Sequence, residues 1–145
     1  MSKVIRLGAL VVLLGFVLSL LAVVPSSDAQ DKKPAPEIKK FMKTVSNPNC
    51  GNAGKLLKKG ITEDSDWATL LKNANALNKL SKDLMAEDRC LSGDWAKACA
   101  TLKECSAKLA EAAKEKNVDN AKASFKGLTG ACAICHKAHR KTAKK

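Results

Sequence analysis

The sequence predicts an all-α fold, an antiparallel up-down-up-down four-helix bundle, and three observations support this prediction. Apolar residues recur with a helical period in four separate stripes. No stretch alternates apolar and polar residues as a strand would, and tyrosine, which is common in strands, is absent. The connections between the stripes are short, so consecutive helices must run in opposite directions.

The N-terminal segment, residues 1–29, has the pattern of an export signal. Two basic residues precede an uncharged apolar run over residues 7–24, and the small residues Ser27 and Ala29 stand where a signal peptidase would read them. Because the apolar run has 18 residues, an uncleaved membrane anchor is the alternative. In both cases we expect the rest of the chain to be periplasmic or otherwise exported, where disulfides persist.

A short linker over residues 30–35 leads to one domain, residues 36–145. Its first helix is predicted to begin near Pro36, because proline is favoured in a first helical turn. The segment 47–52, which contains Pro48, predicts a kink or a short loop within this helical region. The apolar stripe of the region consists of Ile38, Phe41, Met42, Val45, Leu56, Leu57 and Ile61.

Three further helices are predicted, each after a polar start. The second follows residues 64–66, the third follows residues 92–94, and the fourth begins near Asn117 or Asp119. Their stripes carry Trp67, Leu70, Leu71, Ala74, Leu77, Leu80 and Leu84; then Trp95, Ala98, Cys99, Leu102, Cys105, Leu109 and Ala112; and finally Phe125, Leu128, Cys132, Cys135, His136 and His139.

The last helix contains the motif Cys132-Ala133-Ile134-Cys135-His136, close to its C-terminal end. Two cysteines three residues apart and a histidine directly after them lie on one side of a helix. Two thiols can then bond the two vinyl groups of a porphyrin while the imidazole reaches its iron. The motif therefore predicts one covalent haem c, with Cys132 and Cys135 as thioether anchors and His136 as the proximal iron ligand.

Other interpretations of the motif are a redox-active cysteine pair, a zinc site and a structural disulfide. A redox pair normally opens a helix after a strand, and this chain has no such setting. A zinc site built from Cys132, Cys135, His136 and His139 would crowd four ligands onto two helical turns, whereas zinc ligands usually form two separated pairs.

An exported four-helix chain with this motif on its last helix resembles the class II c-type cytochromes, the cytochrome c′ family. The resemblance covers about residues 35–141, and its specific part is the ending CAICHKAHR. It implies that Arg140 approaches a haem propionate. His139 stands where the family commonly has an aromatic residue, so the resemblance gives it no role.

The distal side of the iron is predicted from helix geometry. At 1.5 Å per residue, Met42 and His136 both lie roughly 7–9 Å from the same end of an antiparallel bundle. Met42 is therefore the candidate distal ligand, and Phe41 is the candidate packing wall. The Ile38, Lys39 and Met42 spacing resembles the methionine-ligated, low-spin members of the family, although the arginine usual there is missing. Met85 is a weaker candidate.

Four cysteines lie outside the motif, an even set that suggests two disulfides. Cys90 precedes the third helix and Cys99 lies in its first turns, so this pair could staple a helical hairpin. Cys50 would then form the second disulfide with Cys105. The alternative is that Cys99 and Cys105 are small buried core residues.

We expect the chain to be a single-electron carrier rather than an enzyme, with redox proteins as partners. The alternative is a five-coordinate protein that binds nitric oxide or carbon monoxide, and the remote alternative is a structural bundle without haem. The net charge is +12, and export argues against nucleic acid as a partner. The charge is interpreted as a solvated lysine-rich surface, and the alternative is a surface that docks a specific acidic partner. We expect no membrane association after signal cleavage. The resemblance allows a homodimer.

Overall fold

The computed structural model describes residues 36–86 and 93–139. Within these ranges all regular secondary structure is helical, which confirms the predicted all-α class. None of the described helices combines the length and the hydropathy needed to cross a membrane. The elements are α1 (Pro36–Phe41), a π-helical turn (Met42–Ser46), α2 (Asn47–Lys59), α3 (Asp64–Leu84), α4 (Gly93–Lys114) and α5 (Val118–His139).

The interruption predicted over residues 47–52 is a change of helix type rather than a loop. The turn Met42–Ser46 is π-helical, and the chain then continues directly as α2. The N–H of Asn47 donates to the carbonyl oxygen of Met42, five residues earlier, whereas an α-helix would use a carbonyl four residues earlier. The first helical region therefore stays continuous but shifts its register.

Pro48 explains this wider turn. Proline has no N–H to donate to the carbonyl of Thr44, and its ring crowds that carbonyl in a regular α-helix. The side chain of Asn49 satisfies a neighbouring backbone group, because its Nδ2 donates a hydrogen bond of 2.7 Å to the carbonyl oxygen of Val45. The proline is thus accommodated by a π turn and a side-chain hydrogen bond instead of ending the helix.

Two helix boundaries follow from local chemistry. Helix α2 ends at Lys59 because Gly60 adopts a φ of 93°, a conformation that favours glycine. Ile61 consequently lies outside the helix, although it still packs against the core. At the start of α5, the Oδ1 of Asn117 accepts a hydrogen bond of 2.9 Å from the N–H of Asn120. This cap confirms the predicted start near Asn117.

The helices pack as a bundle around one core. Helix α3 packs against α4, α4 packs against α5, and α2 packs against both α3 and α5. The predicted apolar stripes supply most of the interior. Their buried members are Ile38, Leu57, Trp67, Leu70, Ala74, Leu77, Leu80, Leu84, Trp95, Ala98, Cys99, Leu102, Leu109, Ala112 and Leu128.

Small and polar residues at the α3–α4 contact were not predicted. The Nδ2 of Asn78 donates hydrogen bonds of 2.8 Å to the carbonyl oxygen of Lys103 and 3.1 Å to the Oγ of Ser106. Ser106 and Ser81 are both buried, and each donates its hydroxyl proton to a backbone carbonyl one turn earlier in its own helix. Hydrogen bonding within the helix makes serine acceptable in the core, so a search for apolar residues alone misses it.

Candidate functional site

One end of the bundle contains a small cavity to which the π turn, α3, α4 and α5 all contribute. Its volume is about 30 Å³, roughly the space of one water molecule. The lining side chains are Met42, Ser46, Leu80, Leu84, Ala98, Cys99, Leu102, Ala131, Cys132, Cys135 and His136.

The three chemically distinctive residues of the α5 motif all line this cavity. Cys132 and Cys135 are half-buried, and His136 lies at the solvent-exposed rim. Ala131, which directly precedes Cys132 and lies one turn before Cys135, is buried and also lines the cavity. The helical spacing of the motif therefore presents two thiols and one imidazole to the same space.

Met42 lines the cavity from the first helical region, opposite α5. Met42 and His136 thus line the same cavity, and the role of Met42 as distal iron ligand stays a prediction. Met85 is 41% exposed and does not contribute to the cavity wall. Phe41 is partly buried against the core but is not among the lining side chains, so its packing role stays a prediction.

The cavity floor is formed by residues predicted as core or, in the case of Cys99, as core or a disulfide partner, and not as part of the haem site. Leu80 and Leu84 come from the end of α3, while Cys99 and Leu102 come from the first turns of α4. The comparison of distances from the bundle end that selected Met42 would also select these residues, because the end of α3 and the beginning of α4 belong to the same end of the predicted bundle. Because that comparison was made for Met42 alone, the prediction included one wall of the cavity and omitted its floor.

Burial suppresses the acidity of the motif thiols. The pKa of Cys132 is raised from 9.0 to about 11, first by desolvation and then by the neighbouring sulfurs of Cys50 and Cys135. Desolvation also raises the pKa of Cys135 and of Cys50. In the folded chain these thiols are therefore protonated at neutral pH, and their nucleophilicity is low.

The donor set fits a covalently attached haem, whereas the cavity as it stands is much smaller than a porphyrin. A porphyrin at this place would therefore require the helices around the cavity to separate. Among residues 36–86 and 93–139, no three His, Cys, Asp or Glu side chains form a cluster that could hold a metal ion, so the zinc interpretation gains no support.

The disulfide predictions have different outcomes. Cys50 and Cys105 are free thiols, so the structure does not form the predicted Cys50–Cys105 bond. The thiol of Cys50 helps to raise the pKa of Cys132 on α5, and the sulfur of Cys105 packs against Gly127 of the same helix. The sulfurs of Cys50 and Cys105 therefore both lie beside α5 and are not bonded to each other. Cys99 is buried, and its predicted partner Cys90 lies outside the described residues.

Several other predicted features also lie outside the described residues, namely Arg140, the export signal and the linker. Comparison of the chain with known protein families, with characterised proteins and with solved structures found no match.

Proposed function

We propose that this chain is an exported c-type cytochrome that transfers single electrons through one covalently attached haem c. The main support is that Cys132, Cys135, His136 and Met42 line one cavity although they come from two separate helical regions. Two thiols, an imidazole and a thioether are the groups that such a cofactor takes from a protein.

Each of these residues has one role in the proposal. The thiols of Cys132 and Cys135 would hold the haem by adding across its two vinyl groups, each addition forming a carbon–sulfur bond and placing the thiol proton on the adjacent carbon. His136 would hold the iron through a neutral imidazole nitrogen, and Met42 would hold it through its sulfur. Haem supplies a ferric–ferrous couple that accepts and releases one electron.

The surrounding residues favour electron transfer over turnover of a substrate. Leu80, Leu84 and Leu102 make the inner side of the site apolar. With His136 and Met42 both bound to the iron, no position on it would remain for a substrate, so the proposal includes no enzymatic activity. His136 lies at an exposed end of the bundle, where a partner redox protein can approach.

The same proposal includes an up-down-up-down topology. Two contacts support it: the Nε1–H of Trp95 at the start of α4 donates a 2.8 Å hydrogen bond to the carbonyl of Leu84 at the end of α3, and Gly54 of α2 packs against Phe125 of α5. In an antiparallel arrangement the second contact leaves the start of the first region beside the end of α5, where Met42 and the motif meet. The N-terminal export pattern supports a periplasmic or otherwise exported location.

Covalent attachment tests the proposal. Mature protein produced with a haem-attachment system should keep its haem in acid-acetone extraction and on a denaturing gel, and its mass should increase by one porphyrin with iron. The double variant Cys132→Ser, Cys135→Ser should lose its haem under the same conditions. Complete release of haem from the wild-type protein, or an unmodified chain mass, would refute the cytochrome assignment.

A gas-binding protein is the second candidate, and the apolar floor of the cavity favours it. A vacant iron position surrounded by leucines would suit nitric oxide or carbon monoxide. The two candidates differ in whether Met42 occupies that position, and the Met42 variant described in the Discussion separates them.

A further inference from the structure

The last turn of α5 is attached to the α3–α4 junction through one buried indole. Trp95 is 1% exposed, and its Nε1–H donates a hydrogen bond of 2.8 Å to the carbonyl oxygen of Leu84. The ring of His139 meets the same indole edge to face, with 5.4 Å between ring centroids and an interplanar angle of 75°. Trp95 therefore connects the end of α3, the start of α4 and the last turn of α5.

This connection lies one helical turn from the candidate iron ligand. His136 precedes His139 by three residues, or about 4.5 Å along the helix axis. Leu84, which accepts the indole hydrogen bond, also lines the cavity with His136. A rotation of the last turn of α5 about its axis would consequently move the His136 imidazole relative to the cavity, and the contact between Trp95 and His139 opposes that rotation.

We propose that Trp95 and His139 are positioning residues for His136, an inference that rests on the proposed function. The hydrogen bond fixes the plane of the indole, and the fixed indole holds the ring of His139. Because α5 is rigid over one turn, the rotation of the His136 side chain about the helix axis is fixed with it. Neither positioning residue touches the iron or the porphyrin in this proposal.

The chain contains a matched control for Trp95. Trp67 is also buried, at 8% exposure, and also follows an aspartate near the start of a helix, in α3. Along the axis of α3, Trp67 lies roughly 20 Å from Leu80, which lines the cavity. Asp64, in the same first turn as Trp67, pairs with Lys116 just beyond the end of α4, at 2.7 Å. Trp67 therefore lies at the end of the bundle remote from the cavity.

The test compares Trp95→Phe with Trp67→Phe in the haem-loaded protein. We expect both variants to keep covalent haem by mass and to unfold at lower urea concentration than the wild-type protein. Only Trp95→Phe should shift the reduction potential and broaden the ferric electron paramagnetic resonance signal, because only that variant releases the last turn of α5. Equal potentials and spectra in the two variants would overturn the proposal.

A second pair of variants tests His139. Phe at position 139 retains a ring for the edge-to-face contact, so His139→Phe should keep the wild-type potential, whereas His139→Ala should reproduce the shift of Trp95→Phe. In haem-free protein, the ring-proton chemical shifts of His139 should change in Trp95→Phe but not in Trp67→Phe. Identical potentials for the two His139 variants, or His139 shifts insensitive to Trp95, would refute the positioning role. Absence of covalent haem in the wild-type protein would instead refute the proposed function on which it rests.

Discussion

Cys105 on α4 packs directly against Gly127 on α5. A Cβ atom at position 127 would lie 2.7 Å from the Sγ of Cys105, closer than such atoms normally approach. Three residues later on α5, a Cβ at Gly130 would meet nothing within 4 Å. The lack of a side chain at Gly127 therefore permits the close approach of the helix that carries the cysteine–histidine motif to α4.

This contact predicts opposite effects of alanine at two glycines of one helix. Gly130→Ala should stabilise the protein by about 0.5–1 kcal/mol, because glycine is unfavourable within a helix. Gly127→Ala gains the same helix propensity but displaces the Cys105 sulfur, and overpacking costs about 1–3 kcal/mol. Urea denaturation of the two variants should therefore show Gly127→Ala to be the less stable.

Cys105→Ala provides the control for that comparison. Introduced with Gly127→Ala, it removes the displaced sulfur, so the penalty of the glycine substitution should be smaller in this background than in the wild-type protein. Equal effects of Gly127→Ala in both backgrounds would contradict the contact.

The fold was largely predictable because helical periodicity reports directly on burial. Leu70, Leu77 and Leu80 recur at helical spacing, and all three are fully buried. Ser106 was not predictable in this way, since its burial depends on a hydrogen bond to its own helix. The π turn at Met42 was also missed, because Pro48 indicates a disturbed helix without specifying how the chain absorbs it.

The candidate site was predictable where chemistry is local and less so where it depends on packing. The spacing of Cys132 and Cys135 fixes their common side on one helix. The choice of Met42 over Met85 needed the relative depth of two helices, which an antiparallel bundle supplies. The contact between Trp95 and His139 depends on the position of α4 along α5, and the apolar stripes do not specify that position.

The raised pKa of Cys132 predicts a loss of stability of the haem-free protein at alkaline pH. The folded state favours the protonated thiol, with a pKa of about 11 instead of 9.0, so the unfolded chain releases this proton at lower pH. The contribution is fully present below pH 9 and is lost as the pH rises from 9 toward 11. Cys135, whose pKa burial also raises, acts in the same direction.

Urea midpoints of the haem-free protein at pH 7, 8.5 and 10 measure this effect. The double variant Cys132→Ser, Cys135→Ser is the control, since serine does not titrate in this range and all other ionisable groups remain. We expect the wild-type midpoint to fall more steeply with pH than that of the variant. Parallel pH profiles would show that neither thiol is protected by burial.

The remaining cysteines should differ in their access to an alkylating reagent. Cys50 and Cys105 are thiols in the structure, so both should be modified in unreduced, denatured protein. Cys90 and Cys99 should stay unmodified, because we expect them to pair across the α3–α4 junction in an oxidising compartment. Peptide mass spectrometry distinguishes these results, and a peptide that links Cys50 to Cys105 would show instead that the helices rearrange to form that bond.

Met42 decides whether the iron position opposite His136 is occupied. A bound sulfur from Met42 makes the iron six-coordinate and low-spin and raises its reduction potential. Met42→Leu keeps most of the apolar volume, so it should cost less than about 1.5 kcal/mol of stability. We expect it to abolish the weak near-red band of methionine–iron bonding in the ferric spectrum, to lower the potential and to allow rapid carbon monoxide binding by the ferrous protein.

Met85→Leu is the matched control, because Met85 is 41% exposed and does not line the cavity. It should leave the spectrum and the potential unchanged. If the wild-type protein is already high-spin and binds carbon monoxide readily, and Met42→Leu changes neither property, the electron carrier is the wrong assignment and the gas-binding protein is the right one.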